Sequence, residues 1–494
     1  MIFDTTGENQ TKVVICSAFN GWLYAAYEFY TTKWGGHEAF ELLKSVDDGI
    51  TWVVIFGGAY AHSDPFSSFD IAVIGDSISN IKVFLSWVQP GGGPAPGDDG
   101  GGEVWRFDGN GNFLDGIDLN ASYLALANDF MYPAINSNPC SISVIYASNY
   151  SPNYSKDTLY LLTSSNGGLS YDNRQVIAVN SNHFHDVALA YGRSPSWSTG
   201  RYFAVWTETN DYTTYTGHIY TAHSNPDFNS PFTKPVCIDS LDPSAINKCR
   251  KPKIACQFSG SDNDSSNLSE VIMLEKQLTS GSYDTRGFYN LQATTSSHFN
   301  EFSLSSSSNN KTQPDINFNP YNSTFMLTYY DSTIQSLPFL TNNVNLPNPV
   351  TWNIVSQAYN DSPNLAAPYP KVALDMGQQQ GADVWIKEGT GGNGVAMFDA
   401  PYSTYTGDSE ITGSLDKSIR VYPNPAKDKF EVRCAKCDIK SIEIFNLTGE
   451  KVYGAEFPGG TGDVVEINLD FPAGVYFVRV MSEKGVEVGK IMKN

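Results

Sequence analysis

Seven short segments each set a charged or hydroxyl residue in front of an apolar, strand-like run. They are Lys12-Val13-Val14-Ile15, Asp70-Ile71-Ala72-Val73, Ser141-Ile142-Ser143-Val144, Asp186-Val187-Ala188-Leu189, Lys253-Ile254-Ala255-Cys256, Asp315-Ile316-Asn317-Phe318 and Lys371-Val372-Ala373-Leu374. If the segments stand around one axis, their leading residues form a ring of three ammonium groups, three carboxylates and one hydroxyl. Such a ring is either a hydrated belt of salt bridges or a ligand site in a funnel, built on Asp70, Asp186, Asp315, Lys253 and Lys371. Acid–base chemistry there requires that the groups converge and shift one another's pKa values. Sequence alone does not show convergence.

Other residues offer less. His183-Phe184-His185-Asp186 places two imidazoles on one face of an extended segment, but two His and an Asp make a weak zinc signal. Asp262-Asn263-Asp264-Ser265-Ser266 has the start of a calcium loop without its Gly and closing Glu; apart from a possible structural calcium there, no cofactor is expected. There are seven cysteines. Cys237 and Cys249 flank a short polar stretch and are the expected disulfide in an oxidising compartment, whereas the lone CxxC at Cys434 and Cys437 is half a zinc site at most. No metal site is expected, and no P-loop, HExxH or GxSxG occurs.

The elements that must position the ring are strands. The seven segments recur at steps of roughly 45 to 70 residues. Each is followed by a second β-rich run, such as Leu23–Tyr27, Ile81–Leu85, Tyr202–Trp206, Val271–Leu274, Phe325–Tyr329 or Val384–Ile386. The runs are rich in β-branched and aromatic residues and are separated by Gly, Asn, Ser and Pro. Sheets of this size cannot bury both faces alone, so they pack around an axis. The expected fold is all-β: a seven-bladed β-propeller over 1–400, a linker at 401–415 and a small β-sandwich over 416–494. The recurring segment is the innermost strand, and Ala72, Ala188, Ala255 and Ala373 suit its crowded centre. The last unit shows three strands, so residues 1–10 are expected to supply its missing outer strand. The Gly-rich stretch 90–102 reads as a surface loop.

Ser45-Val46-Asp47-Asp48-Gly49-Ile50-Thr51-Trp52 has the form S-x-D-x-G-x-T-W, and Ser164, Asn166, Gly168, Ser170 and Tyr171 form a softened copy. The carboxylate or amide caps backbone N–H groups in a tight turn, the Gly takes positive φ and the aromatic packs beneath. These octapeptides resemble the Asp-box (BNR) repeats of sialidases and related propellers, where the box joins the outer two strands of a blade. The resemblance implies fold rather than active site. Sialidases also grip a carboxylate with three arginines and carry an early Arg-Ile-Pro, and this chain has no Arg-Ile-Pro. Arg106 and Arg174 fall by outer hairpins.

At the other end stand Tyr422-Pro423-Asn424-Pro425, Gly474-Val475-Tyr476-Phe477-Val478 and Lys490-Ile491-Met492-Lys493. This ordered set resembles the type A C-terminal sorting domain of the type IX secretion system of Bacteroidetes-type bacteria. The resemblance implies docking on the outer-membrane translocon, removal by a sorting peptidase, and release or attachment at the cell surface. Met1-Ile2-Phe3-Asp4 has neither the basic nor the apolar stretch of an export leader, which conflicts with the tail reading unless the chain is a mature form or a truncated gene product.

Charge agrees with an extracellular life. The tail 416–494 holds as many Lys and Arg as Asp and Glu, so the net charge of −21 sits in the front part. That repels phosphate backbones and argues against nucleic-acid partners. No apolar run is long enough for a transmembrane helix. The reading favoured by sequence is a secreted or surface-held, adhesin-like module for glycans or a surface protein. The alternative is a sialidase-like glycoside hydrolase or a lyase working in the axial funnel.

Overall fold

The computed structural model describes residues 8–493 except 32–36, 60–67, 76–79, 89–101, 119–133, 139–140, 149–156, 193–199, 211–215, 226–230, 240–247, 258–267, 279–280, 294–296, 305–309, 344–350, 357–367, 376–379, 390–391, 401–418, 423–425, 435–438, 447–450, 458–463, 469–470, 483–484 and single residues 19, 172, 321, 428 and 473. The Gly-rich stretch, the linker, the Asp262–Ser266 calcium candidate and Pro423-Asn424-Pro425 lie wholly or mainly outside the described residues.

The chain divides into two compact units, Met1–Gly407 and Asp408–Asn494. The described strands of the first unit fall into seven consecutive antiparallel sheets. Sheet one is β1 (Asn9–Ser17), β2 (Leu23–Thr31), β3 (His37–Ser45) and β4 (Val53–Ala59); sheet two is β5 (Ser68–Ile74), β6 (Lys82–Val88), β7 (Gly102–Asp108) and β8 (Phe113–Asp118). Sheet three is β9 (Ala134–Asn138), β10 (Ser141–Ser148), β11 (Asp157–Ser164) and β12 (Asn173–Asn180); sheet four is β13 (His183–Gly192), β14 (Arg201–Thr209), β15 (His218–His223) and β16 (Val236–Cys237). Sheet five is β17 (Cys249–Cys256), β18 (Glu270–Gln277), β19 (Tyr283–Asn290) and β20 (Asn300–Ser303); sheet six is β21 (Lys311–Asn319), β22 (Thr324–Asp331), β23 (Phe339–Asn343) and β24 (Asn353–Ser356). Sheet seven has three described strands, β25 (Lys371–Asp375), β26 (Gln380–Glu388) and β27 (Gly394–Asp399).

The first strands close a ring. β1 packs on β5, β5 on β9, β9 on β13, β13 on β17, β17 on β21, β21 on β25, and β25 returns to β1. The fold is a β-propeller. Its hydrophobic core is divided between neighbouring sheets: Val13, Leu23, Ala25 and Tyr27 of sheet one bury against Ala373, Val384, Ala396 and Phe398 of sheet seven. The inner alanines Ala72, Ala188, Ala255 and Ala373 are all buried, as a crowded centre requires.

Two sequence expectations are corrected. Ser141–Val144 is not an innermost segment, because β9 takes that place and β10, with Ser141, is the second strand. Ala134-Ile135 follows Pro133 just as Lys253, Asp315 and Lys371 follow Pro252, Pro314 and Pro370, but five residues ending in Asn-Ser-Asn give a weak strand signal. Secondly, Asn9 and Gln10 are no outer strand of sheet seven. They open β1, opposite Tyr30 and Phe29. The tie to sheet seven is made by their side chains: Asn9 Oδ1 accepts from Gly394 N at 2.7 Å, and Gln10 Oε1 accepts from Ala396 N. Residues 1–7 lie outside the described residues.

The second unit pairs a sheet of β28 (Ile419–Tyr422), β29 (Lys429–Cys434) and β32 (Val464–Asn468) with one of β30 (Ile439–Asn446), β31 (Lys451–Glu456), β33 (Gly474–Ser482) and β34 (Gly485–Lys493). Phe430, Val432, Ile442, Ile444, Ile467, Val478 and Ile491 fill the space between them, a small sandwich.

Candidate functional site at the inner ring

Five inner-strand residues named from sequence act on one another electrostatically. Lys253 of β17 feels Lys371 of β25, Asp315 of β21, Asp70 of β5 and Asp186 of β13. The Lys371 ammonium lies 3.6 Å from Asp315 Oδ1, and Asp315 Oδ2 also accepts from Val372 N at 2.9 Å. Asp315 is buried, while Asp70, Asp186, Lys253 and Lys371 are half-buried. The Lys12 ammonium is 3.3 Å from Glu28 Oε2 on β2 of its own sheet. Ser141 belongs to a second strand and is no member of the ring.

A recurrent backbone irregularity aims these groups. β13, β17 and β21 each carry a β-bulge, between His185 and Ala188, Arg250 and Lys253, and Thr312 and Asp315. At its head Asp186, Lys251 and Gln313 take φ of 49°, 51° and 55°, and Tyr369, just before β25, takes 46°. By this register Asp186 sits two positions ahead of Lys253, Asp315 and Lys371. Ala188, not Asp186, is their structural counterpart.

The bulge heads are linked from sheet to sheet. Lys251 N donates to Asp186 Oδ2 at 3.0 Å and Tyr369 N donates to Gln313 Oε1 at 2.7 Å. Between them the pattern changes, because Lys251 has no acceptor to offer. Gln313 N turns instead to Glu275 Oε1 of β18, 2.8 Å away, and Arg250 Nε holds Glu275 Oε2 at 2.6 Å. Sequence reasoning missed Lys251, Glu275, Gln313 and the exposed Tyr369. The Pro that follows Lys251, Gln313 and Tyr369 was the available signal.

This packing shifts protonation. The nearby Lys371 ammonium, with burial, lowers Lys253 to about 8, against the pull of Asp315, Asp70 and Asp186. Burial also opposes charge on Lys371, but Asp315 and Asp70 overcome it and hold that ammonium above its ordinary value. Burial pushes the Asp186 carboxyl up, against the Lys251 N–H and the Lys251 and Lys253 charges. The ring thus holds an amine that loses its proton near pH 8, an ammonium kept charged and a carboxyl with raised proton affinity, groups of the kind acid–base chemistry uses.

The remaining motifs are structural in this fold. In the Asp-box between β3 and β4, Asp47 Oδ1 accepts from Thr51 N at 2.8 Å and from Ser45 Oγ at 2.9 Å, while Gly49 N donates to Ser45 Oγ at 2.8 Å. The copy between β11 and β12 repeats this with Asn166 and Ser170 and with Ser164 and Gly168. Trp52 and Tyr171 are the aromatics of the two boxes, and Thr51 Oγ1 donates to Asp47 Oδ2 at 2.6 Å. A third turn between β7 and β8, unrecognised from sequence, uses Asp108 Oδ1 to cap Asn110 N and Asn112 N at 2.8 and 3.0 Å. Arg106 bonds Asp115 and Gly167 O, Arg174 covers the Tyr160 ring, and Arg286 pairs with Asp284; these three do not assemble a carboxylate grip. His183 bonds Asp157 at 2.8 Å, and burial lowers His185 to about 4, so His185 is a neutral core residue.

In the sandwich, the motif residues close the fold. Tyr476 Oη donates to Pro472 O at 2.7 Å and packs on Phe471, and the Lys493 ammonium donates to Phe471 O. Lys490 lies opposite Phe477 and Gly474 opposite Lys493 in the β33–β34 register, and Tyr422 ends β28.

Residues 420–494 match the secretion system C-terminal sorting domain. With this sorting domain the chain is a type IX substrate, secreted or held on the outer-membrane surface. No described helix is long and apolar enough to cross a membrane. An endo-acting ulvan lyase of Formosa agariphila is 31% identical over 68 residues, 13% of each chain, so this chain spans a small part of that relative. A polysaccharide lyase of family PL25, an ulvan lyase, overlays 80% of this chain and 94% of its own at 8% identity with a TM-score of 0.48. A Trypanosoma rangeli sialidase overlays 99% and 86% at 9% identity with a TM-score of 0.40.

Proposed function

We propose that the exported propeller is a glycan-cleaving enzyme whose reaction centre is the inner ring. The observation that carries this reading is the meeting of Asp186, Lys253, Lys371, Asp315 and Asp70 from five sheets, with the Lys253 amine brought to about 8 beside a second, fully charged ammonium. A belt that served only to hold sheets together has no need of an amine brought down to about 8. Tyr369, exposed and two residues from Lys371, offers a flat face on which a sugar can stack.

Lys253 favours elimination over hydrolysis. Its neutral amine takes the proton α to a uronate carboxylate, and the Lys371 ammonium stabilises the charge that develops there. The electron pair forms the new double bond as the glycosidic C–O bond breaks. Asp186, in its protonated form, supplies the proton to the leaving oxygen. Hydrolysis by a carboxylate pair drawn from Asp70, Asp186 and Asp315 is the second route.

The test is a panel of acidic and neutral polysaccharides incubated with the full chain. Elimination yields a conjugated unsaturated product that absorbs in the ultraviolet. Reducing ends without that absorbance mean hydrolysis, and binding without any cleavage returns the chain to the adhesin-like reading.

A further inference from the structure

A second cluster lies outside the ring, at the outer edge of sheet four. His218 of β15, Cys237 of β16 and Asp239 just beyond it bring one ligand atom each within 4.8 Å of one another. Asp239 is buried and central. Its Oδ1 receives the Cys237 thiol at 3.1 Å and His218 Nδ1 at 3.2 Å. Its Oδ2 is buried and takes no hydrogen bond among the described residues, a costly state for a carboxylate oxygen. Cys249, which begins β17, brings a second thiol against the same carboxylate. It is held there by two backbone bonds to Gly217, at 2.9 and 3.0 Å. Cys237 and Cys249 are thiols, not the disulfide expected from sequence. Both face Asp239.

We propose that His218, Cys237 and Asp239 hold a structural, tetrahedral thiophilic divalent cation, of which Zn²⁺ is the type, and that Cys249, whose sulfur lies outside that three-atom group, closes the tetrahedron by a side-chain shift. Two sulfurs, one imidazole and one carboxylate are the donor set such an ion prefers, and ligand atoms around tetrahedral zinc stand about 3.3–3.8 Å apart, the pairs with sulfur at the long end. The spacings of 3.1 and 3.2 Å lie close to that before the protons on sulfur and imidazole give way to the metal. The ion would satisfy the orphaned Oδ2. It would also pin β16, a strand of only two residues, to β15 and to β17 of the next sheet. Glycan cleavage at the inner ring is a separate matter and requires none of these residues.

The test uses the full chain, stripped with a chelator and titrated anaerobically with Zn²⁺ and, separately, Co²⁺. Expected are saturation at one ion per chain, a higher melting temperature with Zn²⁺, and a thiolate-to-metal charge-transfer band with Co²⁺. His218→Ala and Asp239→Asn should weaken binding by more than about 100-fold. His183→Ala, which disturbs the unrelated Asp157 pair, should leave it unchanged. If a variant fails to fold, the wild-type cobalt spectrum still decides. The proposal is overturned by the absence of stoichiometric binding, by a cobalt spectrum without sulfur ligation, or by an intact mass showing Cys237 and Cys249 joined as a disulfide in protein isolated from the cell surface.

Discussion

The backbone N–H of Lys251 donates to Asp186 Oδ2 at 3.0 Å, joining two bulge heads of neighbouring sheets that both sit at positive φ. A non-glycine residue in the left-handed region costs about 1–2 kcal/mol, so a bond that recurs between such residues offsets local strain while aiming the next side chains inward. Asp186 therefore has two roles, one needing an acceptor and the other an exchangeable proton. Asn keeps the first and removes the second.

Asp186→Asn should fold with a melting temperature within a few degrees of the parent and lose most cleavage activity. Asp186→Ala leaves the Lys251 N–H without this partner and should cost about 1–3 kcal/mol in denaturant unfolding. Equal stability losses in the two variants, with activity retained in Asp186→Asn, would confine the residue to the bulge.

The activity profile should follow Lys253. Its amine must be neutral to accept a proton while Asp186 must be protonated to give one, so kcat/KM should fall away on both sides of an optimum, with the Lys253 limb near 8. The Lys371 charge is the largest cause of the lowered value, so Lys371→Met should raise the Lys253 pKa and move that limb to higher pH. It should also depress the maximal rate. A limb that stays in place in Lys371→Met would show that another group titrates.

Glu270 of β18 should make stability depend on pH. It is buried, its Oε2 takes no hydrogen bond among the described residues, and burial raises its pKa from 4.5 to about 8. The folded state then holds a proton that the unfolded state releases above 4.5. Its contribution is full below that value and is lost as pH rises through 8. Glu270→Gln should remove this fall between pH 5 and 8, measured as the slope of unfolding free energy against pH. An unchanged slope would assign the dependence elsewhere.

How far the sequence could be read follows from what each signal encodes. The repeat and the Asp-boxes are local: Ser45, Asp47, Gly49 and Thr51 bond within one octapeptide, so their spacing carries the geometry. The ring is non-local. Asp70, Lys253, Asp315 and Lys371 were picked out by a strand pattern, but nothing in that pattern encodes a lysine beside a lysine. The pattern misplaced Asp186 by two residues because a bulge inserts a position that a strand template does not contain. It missed β9 because Asn and Ser dominate that strand. The metal-type cluster was hidden because Cys237 and Cys249 satisfied a simpler rule, the disulfide.

The outer turns bear on closure of the whole ring. Gly49 takes φ +80°, and a Cβ there would stand 2.2 Å from Phe398 Cε1 on β27. Gly168 takes φ +81° and meets Phe84 of β6 at the same distance. The turn after β7 follows the same rule, with Gly109 O receiving Tyr24 Oη at 2.9 Å. Each of these turns thus seats on an aromatic of the preceding sheet, and for sheet one the preceding sheet is the last. Gly49→Ala meets two obstacles, left-handed backbone at about 1–2 kcal/mol and overpacking at about 1–3 kcal/mol. A loss of about 2–5 kcal/mol is expected. Phe398→Leu relieves only the second, so the double variant should be more stable than the sum of the single losses requires, by about 1 kcal/mol or more. Strict additivity in equilibrium unfolding would mean that the Asp-box serves its own hairpin and takes no part in closing the first sheet on the seventh.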